Sequence, residues 1–176
     1  MKNLILILAS SFLFAILGSC SSQSAIAPEK VSALVNSGEF TFIAQRANPM
    51  NMDVVNVMNS LPGSSSTRIL DLDYGYTVQI SKDQLEVTLP YFGRLYNPSY
   101  DTIKNGFRFT SKDYKVTQED GRKGSKVFYI TVNDQQNIRK MNLEVFKNGK
   151  AYLSIDANDR QPISYDGYIM ENSTKK

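Results

Sequence analysis

The sequence predicts a mainly β protein: an antiparallel sandwich or partly closed barrel of eight or nine short strands, with one short helix towards its N-terminal side. Three observations carry this reading. Ten Tyr and nine Phe, with no Trp, join Val, Ile and Thr in a composition that favours pleated, half-buried surfaces. Short runs of alternating apolar and polar residues recur with turn residues between them. One of those turns, Asn148-Gly149, is the strongest short-range hairpin signal, because both residues tolerate positive φ.

The chain opens with a leader. Lys2 gives a short positive region, and Leu4 to Leu17 form an apolar stretch broken only by Ala9, Ser10, Ser11 and Ala15. This is the layout of a secretory signal, and it is short for a bilayer-spanning helix, which needs about 20 apolar residues. Leu17-Gly18-Ser19-Cys20 resembles a lipobox, with small residues before a cysteine whose sulfur accepts a diacylglyceryl group. Residues 1–19 are therefore expected to be removed, leaving Cys20 lipidated and residues 20–27 as a polar tether. Residues 28–170 then form a single β-rich domain, followed by a frayed tail, 171–176.

The first element of the domain is a short amphipathic helix after Ala27. Pro28 suits a first turn, Glu29 favours the positive end of the helix dipole, Val31, Leu34 and Val35 share a face, and Gly38 ends it. A strand from Glu39 to Ala47 puts Phe40, Phe42 and Ala44 on one side. From Asn48 to Arg68 the pattern is ambiguous. Met50, Met52, Val54 and Val57 fit a strand, whereas Val54, Val55, Met58 and Leu61 fit a helical face. Pro62-Gly63-Ser64-Ser65-Ser66 reads as a loop. Ile69 to Leu72 and Tyr74 to Ile80 read as one strand or two, and Leu85 to Leu89 as the next. Gly106 to Ser111 carries Phe107 and Phe109 on one face. Hairpins join Tyr114–Glu119 to Lys126–Val132 and Lys140–Lys147 to Ala151–Ala157, and Ile163 to Ile169 closes the set.

Composition excludes several classes of function. There is no His, and the only Cys is in the leader. No Ser-His-Asp or Cys-His triad can be built, no zinc site of the usual N/S type, and no disulfide framework. The formal charge of +3 falls by one when Lys2 leaves with the leader, and the remaining cations are scattered. That is too little for a phosphate-tracking surface, so nucleic acid is not an expected partner. No cofactor is implied. A hydrolase built on carboxylates, Tyr or Lys needs no His and stays open. Asp71 and Asp73 would share a strand face, but calcium takes six to eight oxygen ligands and no loop here offers that density.

The most distinctive string is Leu89-Pro90-Tyr91-Phe92-Gly93-Arg94-Leu95-Tyr96. Pro90 cannot donate a ladder hydrogen bond and Gly93 permits unusual φ, so a strand ends or bulges here and delivers rings and a guanidinium to one rim. Either Arg94 grips an anion with Tyr91 or Tyr96 stacked on it, or the rings close the core and Arg94 pairs with a carboxylate or backbone carbonyls. Arg160 and Tyr165 repeat the same chemistry. If the strands bring the two clusters together they form a site for a carboxylate, phosphate or sugar acid; otherwise Arg160 ties a loop to Asp156 or Asp159.

LPYFGRLY, then Tyr100 and GFRF at Gly106–Phe109, then NGKA at Asn148–Ala151 and NDRQPISYDG at Asn158–Gly167 resemble a family of Bacteroidetes secreted proteins and lipoproteins, the domain of unknown function 4251. The likeness spans Val31 to Ile169. It implies one extracytoplasmic β-rich domain and brings no activity with it. Asp101-Thr102-Ile103 is similar to the short O-glycan acceptor pattern of Bacteroidetes envelope proteins, which makes Thr102 a loosely specified glycosylation candidate. Ser21, Ser22, Gln23 and Ser24 lack the acidic residues that related surface-bound lipoproteins carry after the Cys, so the periplasmic side of the envelope, outer membrane included, is the expected location. The expected function is a non-catalytic binding domain, tethered to a membrane by its lipid, for a small anionic or carbohydrate ligand, a polymer or another envelope protein. The alternative is an assembly lipoprotein without a ligand.

Overall fold

The structure, a computed structural model, describes residues 26–63, 65–96 and 105–173. The leader, Cys20 and Thr102 lie outside the described residues. In chain order the elements are α1 (Pro28–Ser37), β1 (Phe40–Pro49), α2 (Met52–Ser60), α3 (Ser66–Leu70), β2 (Thr77–Ile80), β3 (Leu85–Leu89), β4 (Phe107–Ser111), β5 (Tyr114–Asp120), β6 (Lys126–Val132), β7 (Ile138–Val145), β8 (Lys150–Ala157) and β9 (Ile163–Met170). The sheet order is β4-β3-β2-β1-β9-β8-β7-β6-β5, with every pairing antiparallel. Of the two predicted architectures, the nearly closed barrel is the one found.

The ring closes by an unusual device. Counting alternate directions outward from β1 shows that β4 and β5 run the same way, and only Lys112 and Asp113 separate them. They are two halves of one bent strand, the first paired with β3 and the second with β6. Nine strands thus occupy eight places, the even number that an all-antiparallel ring requires.

An eight-place ring has an interior just wide enough for side chains to fill it. Phe40 and Phe42 of β1, Phe128 of β6, Met141 of β7, Leu153 of β8 and Tyr165 of β9 are all fully buried. Phe40 and Phe128 meet edge to face, 5.1 Å between centroids, across the lumen from strands that are not neighbours. Between Ala44 and Arg46 the register of β1 slips by one residue against β9. The bulge turns Arg46 out to Asp71, at 2.7 Å, and Ala47 in. Gly167 stands opposite Ala44, where a Cβ would lie 1.9 Å from the Ile43 carbonyl oxygen, so only glycine allows β1 and β9 this approach.

Differences from the sequence reading are local. One helix was expected, and three α-helices form among the described residues. Asn48–Arg68 resolves in favour of the helical face because the Asn51 side chain caps α2, accepting from the Asp53 N–H at 2.8 Å. Ile69 to Leu72 is not a strand: Ile69 and Leu70 end α3, and Leu72 N–H donates to the Gln45 carbonyl. Asp71 and Asp73 therefore do not share a strand face. The C-terminal tail is tied as far as Asn172, which accepts from the Thr41 hydroxyl and donates to the Ile80 carbonyl.

The two ends of the barrel differ. α1 closes one end, burying Val31, Leu34 and Val35 over the β7–β8 turn, where Gly149 packs beneath Val31. The other end, the mouth, carries α2, the segment after β3 and the β8–β9 loop.

Candidate functional site

At the mouth the two predicted Arg-Tyr clusters come together, in part. The segment after β3 runs antiparallel to the β8–β9 loop: Tyr96 N–H donates to Asp159 O at 2.8 Å and Gln161 N–H donates to Arg94 O at 3.1 Å. Leu95 and Arg160 form a bridge between them. Pro90 forces this arrangement by ending β3, and Gly93 permits it, because the Tyr91 ring occupies the space a Cβ would need.

Arg160 is the centre of the inner layer and only 4% exposed. Its Nε and Nη2 hold the Asp159 carboxylate at 3.0 and 2.8 Å. Its Nη1 donates to the carbonyls of Asn105 and Gly106, which open β4 on the edge that no strand covers. The guanidinium lies 5.0 Å from the Tyr91 centroid and 4.8 Å from that of Phe107. Tyr91 and Phe107 are themselves edge to face at 5.8 Å. Tyr165 donates to the Pro90 carbonyl at 2.6 Å. Tyr91's hydroxyl sits 3.0 Å from the carbonyls of both Arg94 and Gln161. These groups turn inward, to the chain's own polar atoms.

The electrostatics agree. The Arg160 hydrogen bonds hold the Asp159 carboxyl below the usual carboxylate range. Burial pushes the Tyr165 phenol far up, and raises that of Tyr91 despite the Gln161 carbonyl and the Arg160 charge. Neither tyrosine is poised to give up its proton near neutrality. Asp156, the other predicted partner of Arg160, faces Arg139 at 3.6 Å instead.

The outer layer faces solvent. Arg94 is exposed and its guanidinium has no ion pair or hydrogen bond among the described residues. Tyr96 is 55% exposed, Met50 70% and Met52 66%, while Val57 and Leu61 of the α2 region are exposed as well. Met50, Met52, Tyr96 and Pro162 line a groove of about 390 Å³. A second groove of about 360 Å³ lies between Tyr76, Thr88, Tyr91, Asn105 and Arg108, and Asn105 Oδ1 is buried without a hydrogen-bond partner among the described residues. Arg108 and Met50–Met52 were not singled out as site residues from sequence. The alternation of Phe107-Arg108-Phe109 carried the signal for Arg108, an outward cation between two inward rings. Among the described residues no group of three or more His, Cys, Asp or Glu side chains is placed to hold a metal ion, and no helix is long and apolar enough to cross a membrane.

Comparison with known proteins gives fold and family. A search of curated proteins finds no match. The crystal structure of a DUF4251 family protein from Bacteroides eggerthii superposes with a TM-score of 0.50 at 10% identity, covering 85% of this chain and 92% of that one. At that identity the likeness establishes the architecture alone. The family model for a domain of unknown function, DUF4251, matches residues 23–169. The chain described here belongs to the DUF4251 family.

Proposed function

We propose that this protein is an exported lipoprotein, acylated on Cys20, whose barrel is a non-catalytic binding domain that presents its mouth to another envelope protein. The lipid anchor rests on the leader and the Leu17–Cys20 string. The binding role rests on one observation above all, the exposed Met50, Met52 and Tyr96 around a single groove. The barrel interior is filled by side chains, so any ligand must be met on the outside of the barrel or at an end. Exposed Met in such numbers is a surface that adapts to a partner, since a thioether on a flexible stem repacks at little cost. Arg94, exposed beside Tyr96 in the chain, adds a cation to the rim, in the manner of an interface anchor.

The test is capture from membranes. A stoichiometric partner should bind the wild-type lipoprotein, be lost with Met52→Glu or Tyr96→Ala, and be retained by Arg160→Lys if that variant folds. A partner indifferent to both mouth substitutions would refute this reading.

A second reading, a small anionic or sugar ligand, is favoured by the groove that Arg108 and Asn105 both line, where Asn105 Oδ1 has no hydrogen-bond partner among the described residues. Ligand-induced thermal stabilisation abolished by Arg108→Ala, with the unliganded melting temperature unchanged, would establish it.

A further inference from the structure

The α1 end carries a second surface, distinct from the mouth in chemistry. Pro28, Val31, Val35, Phe146 and Lys147 line a groove of about 250 Å³, with Phe146 exposed at its lip. Two turns flank it. The β5–β6 turn contributes Arg122 and Lys123, and the β7–β8 hairpin contributes Lys147 from its turn and Lys150 from the start of β8, all exposed. None of the four makes an ion pair among the described residues, whereas Lys126 is held by Asp120 at 2.6 Å and Lys30 by Glu171 at 3.1 Å. Two further acids stand beside the turn, flanking Val127: Glu144, which accepts from the Ser125 hydroxyl at 2.6 Å, and Glu119, which is exposed. Glu29, in the first turn of α1, is the remaining acid at this end of the helix.

Local geometry holds the cations together. Lys147 lies against Gly124, whose missing Cβ leaves room for the lysine stem. Lys123 has φ 55°, the only positive value outside glycine among the described residues. A turn that Gly would make at lower cost keeps a Lys instead, pointing to a use for its charge.

We infer that this end of the barrel seats on an anionic phospholipid surface, with Phe146 and the groove against the acyl boundary and Arg122, Lys123, Lys147 and Lys150 among the headgroups. The inference rests on the lipid-anchor reading given above. Seven residues lie between Cys20 and Pro28, so the eight steps from one to the other reach at most about 28 Å. The chain therefore enters the barrel beside this patch, and a lipid on Cys20 brings the patch to the bilayer before any other face. The diacyl lipid supplies the anchoring, and a cluster of cations beside it supplies the orientation.

The test uses the full lipidated chain in vesicles of phosphatidylcholine with or without phosphatidylglycerol, some carrying brominated acyl chains. Cys20 is acylated, so Ser32→Cys beside the groove and Gln136→Cys in the β6–β7 loop each provide a unique thiol for a fluorophore. On phosphatidylglycerol vesicles the Ser32→Cys probe should be quenched several-fold more than the Gln136→Cys probe. Arg122→Glu with Lys123→Glu and Lys147→Glu should remove that difference while the chain stays anchored. Equal quenching at both positions, or a difference that survives charge reversal, overturns this inference and leaves the anchor intact. Failure of the chain to associate with vesicles, with no fatty acid on Cys20, overturns the anchor reading and this inference with it.

Discussion

α1 and α2 are helices of similar length at opposite ends of one barrel, and they are used in opposite ways. α1 has Pro28 in its first turn, ends on Gly38 with φ 68°, and buries Val31, Leu34 and Val35. α2 is the more apolar sequence, yet none of its residues is buried. Helix formation follows local signals, the Pro-to-Gly frame in one case and the Asn51 cap in the other. What the helix does follows from burial. α1 is a plug whose apolar face the core consumes. α2 only half-buries Val54, Val55 and Met58, the last against the core, and leaves Met52 and Val57 at the surface.

The same division runs through the mouth, and the largest expected effect tests it there. Arg160→Ala removes the clamp on the Asn105 and Gly106 carbonyls and leaves Asp159 without its partner. Urea denaturation should show a loss of about 3–4 kcal/mol, whereas Arg94→Ala should stay within about 0.5 kcal/mol of wild type. Equal losses would erase the distinction between inner and outer layers. Next, Ala33→Pro in α1 should cost about 3 kcal/mol, because the helix it breaks seals the core. Val57→Pro in α2 should lower helical ellipticity but move the denaturation midpoint by under about 1 kcal/mol, as α2 melts on its own. A cooperative collapse with Val57→Pro would make α2 structural.

Tyr165→Phe comes third. It deprives the Pro90 carbonyl of its 2.6 Å partner, at about 1–2 kcal/mol, without touching the outer layer. The smallest effect is acid loosening of the mouth. Arg160 holds the Asp159 carboxyl below its ordinary range, so the stabilisation is complete above the unfolded value. It is lost as pH falls through the folded one, below about pH 4. Thermal melts between pH 5 and pH 2 should fall more steeply for wild type than for Asp159→Asn, and parallel curves would contradict the pairing.

The barrel was largely legible. Alternation in Phe40–Ala44 and the Asn148-Gly149 turn, where Gly149 takes φ 79°, fixed strands because pleat and turn chemistry act over a few residues. The bulge after Ala44 was not legible: simple alternation continues with Arg46 inside, and it is pairing with β9 that decides otherwise. α3 was missed because Ser66, Thr67 and Ile69 are indifferent helix formers, and tertiary packing of Leu70 selects the turn. The β4–β5 bend was read as a break between strands, since continuity across a corner leaves no mark in alternation. At the mouth, sequence singled out these rings and guanidiniums as candidates but not which of them the fold would bury. Arg94 and Arg160 carry the same chemistry, and only the path of the chain past Asn105 makes Arg160 a buried brace while Arg94 stays exposed.

The pairing of β1 with β9 joins segments far apart in order of synthesis, with the Thr41 hydroxyl bonded to Asn172, 131 residues away. A chain threaded N-terminus first therefore cannot shut its ring until its last strand has emerged, and contacts of such separation are slow to form. The fold carries its own delay: the ring stays open until β9 is free to pair with β1.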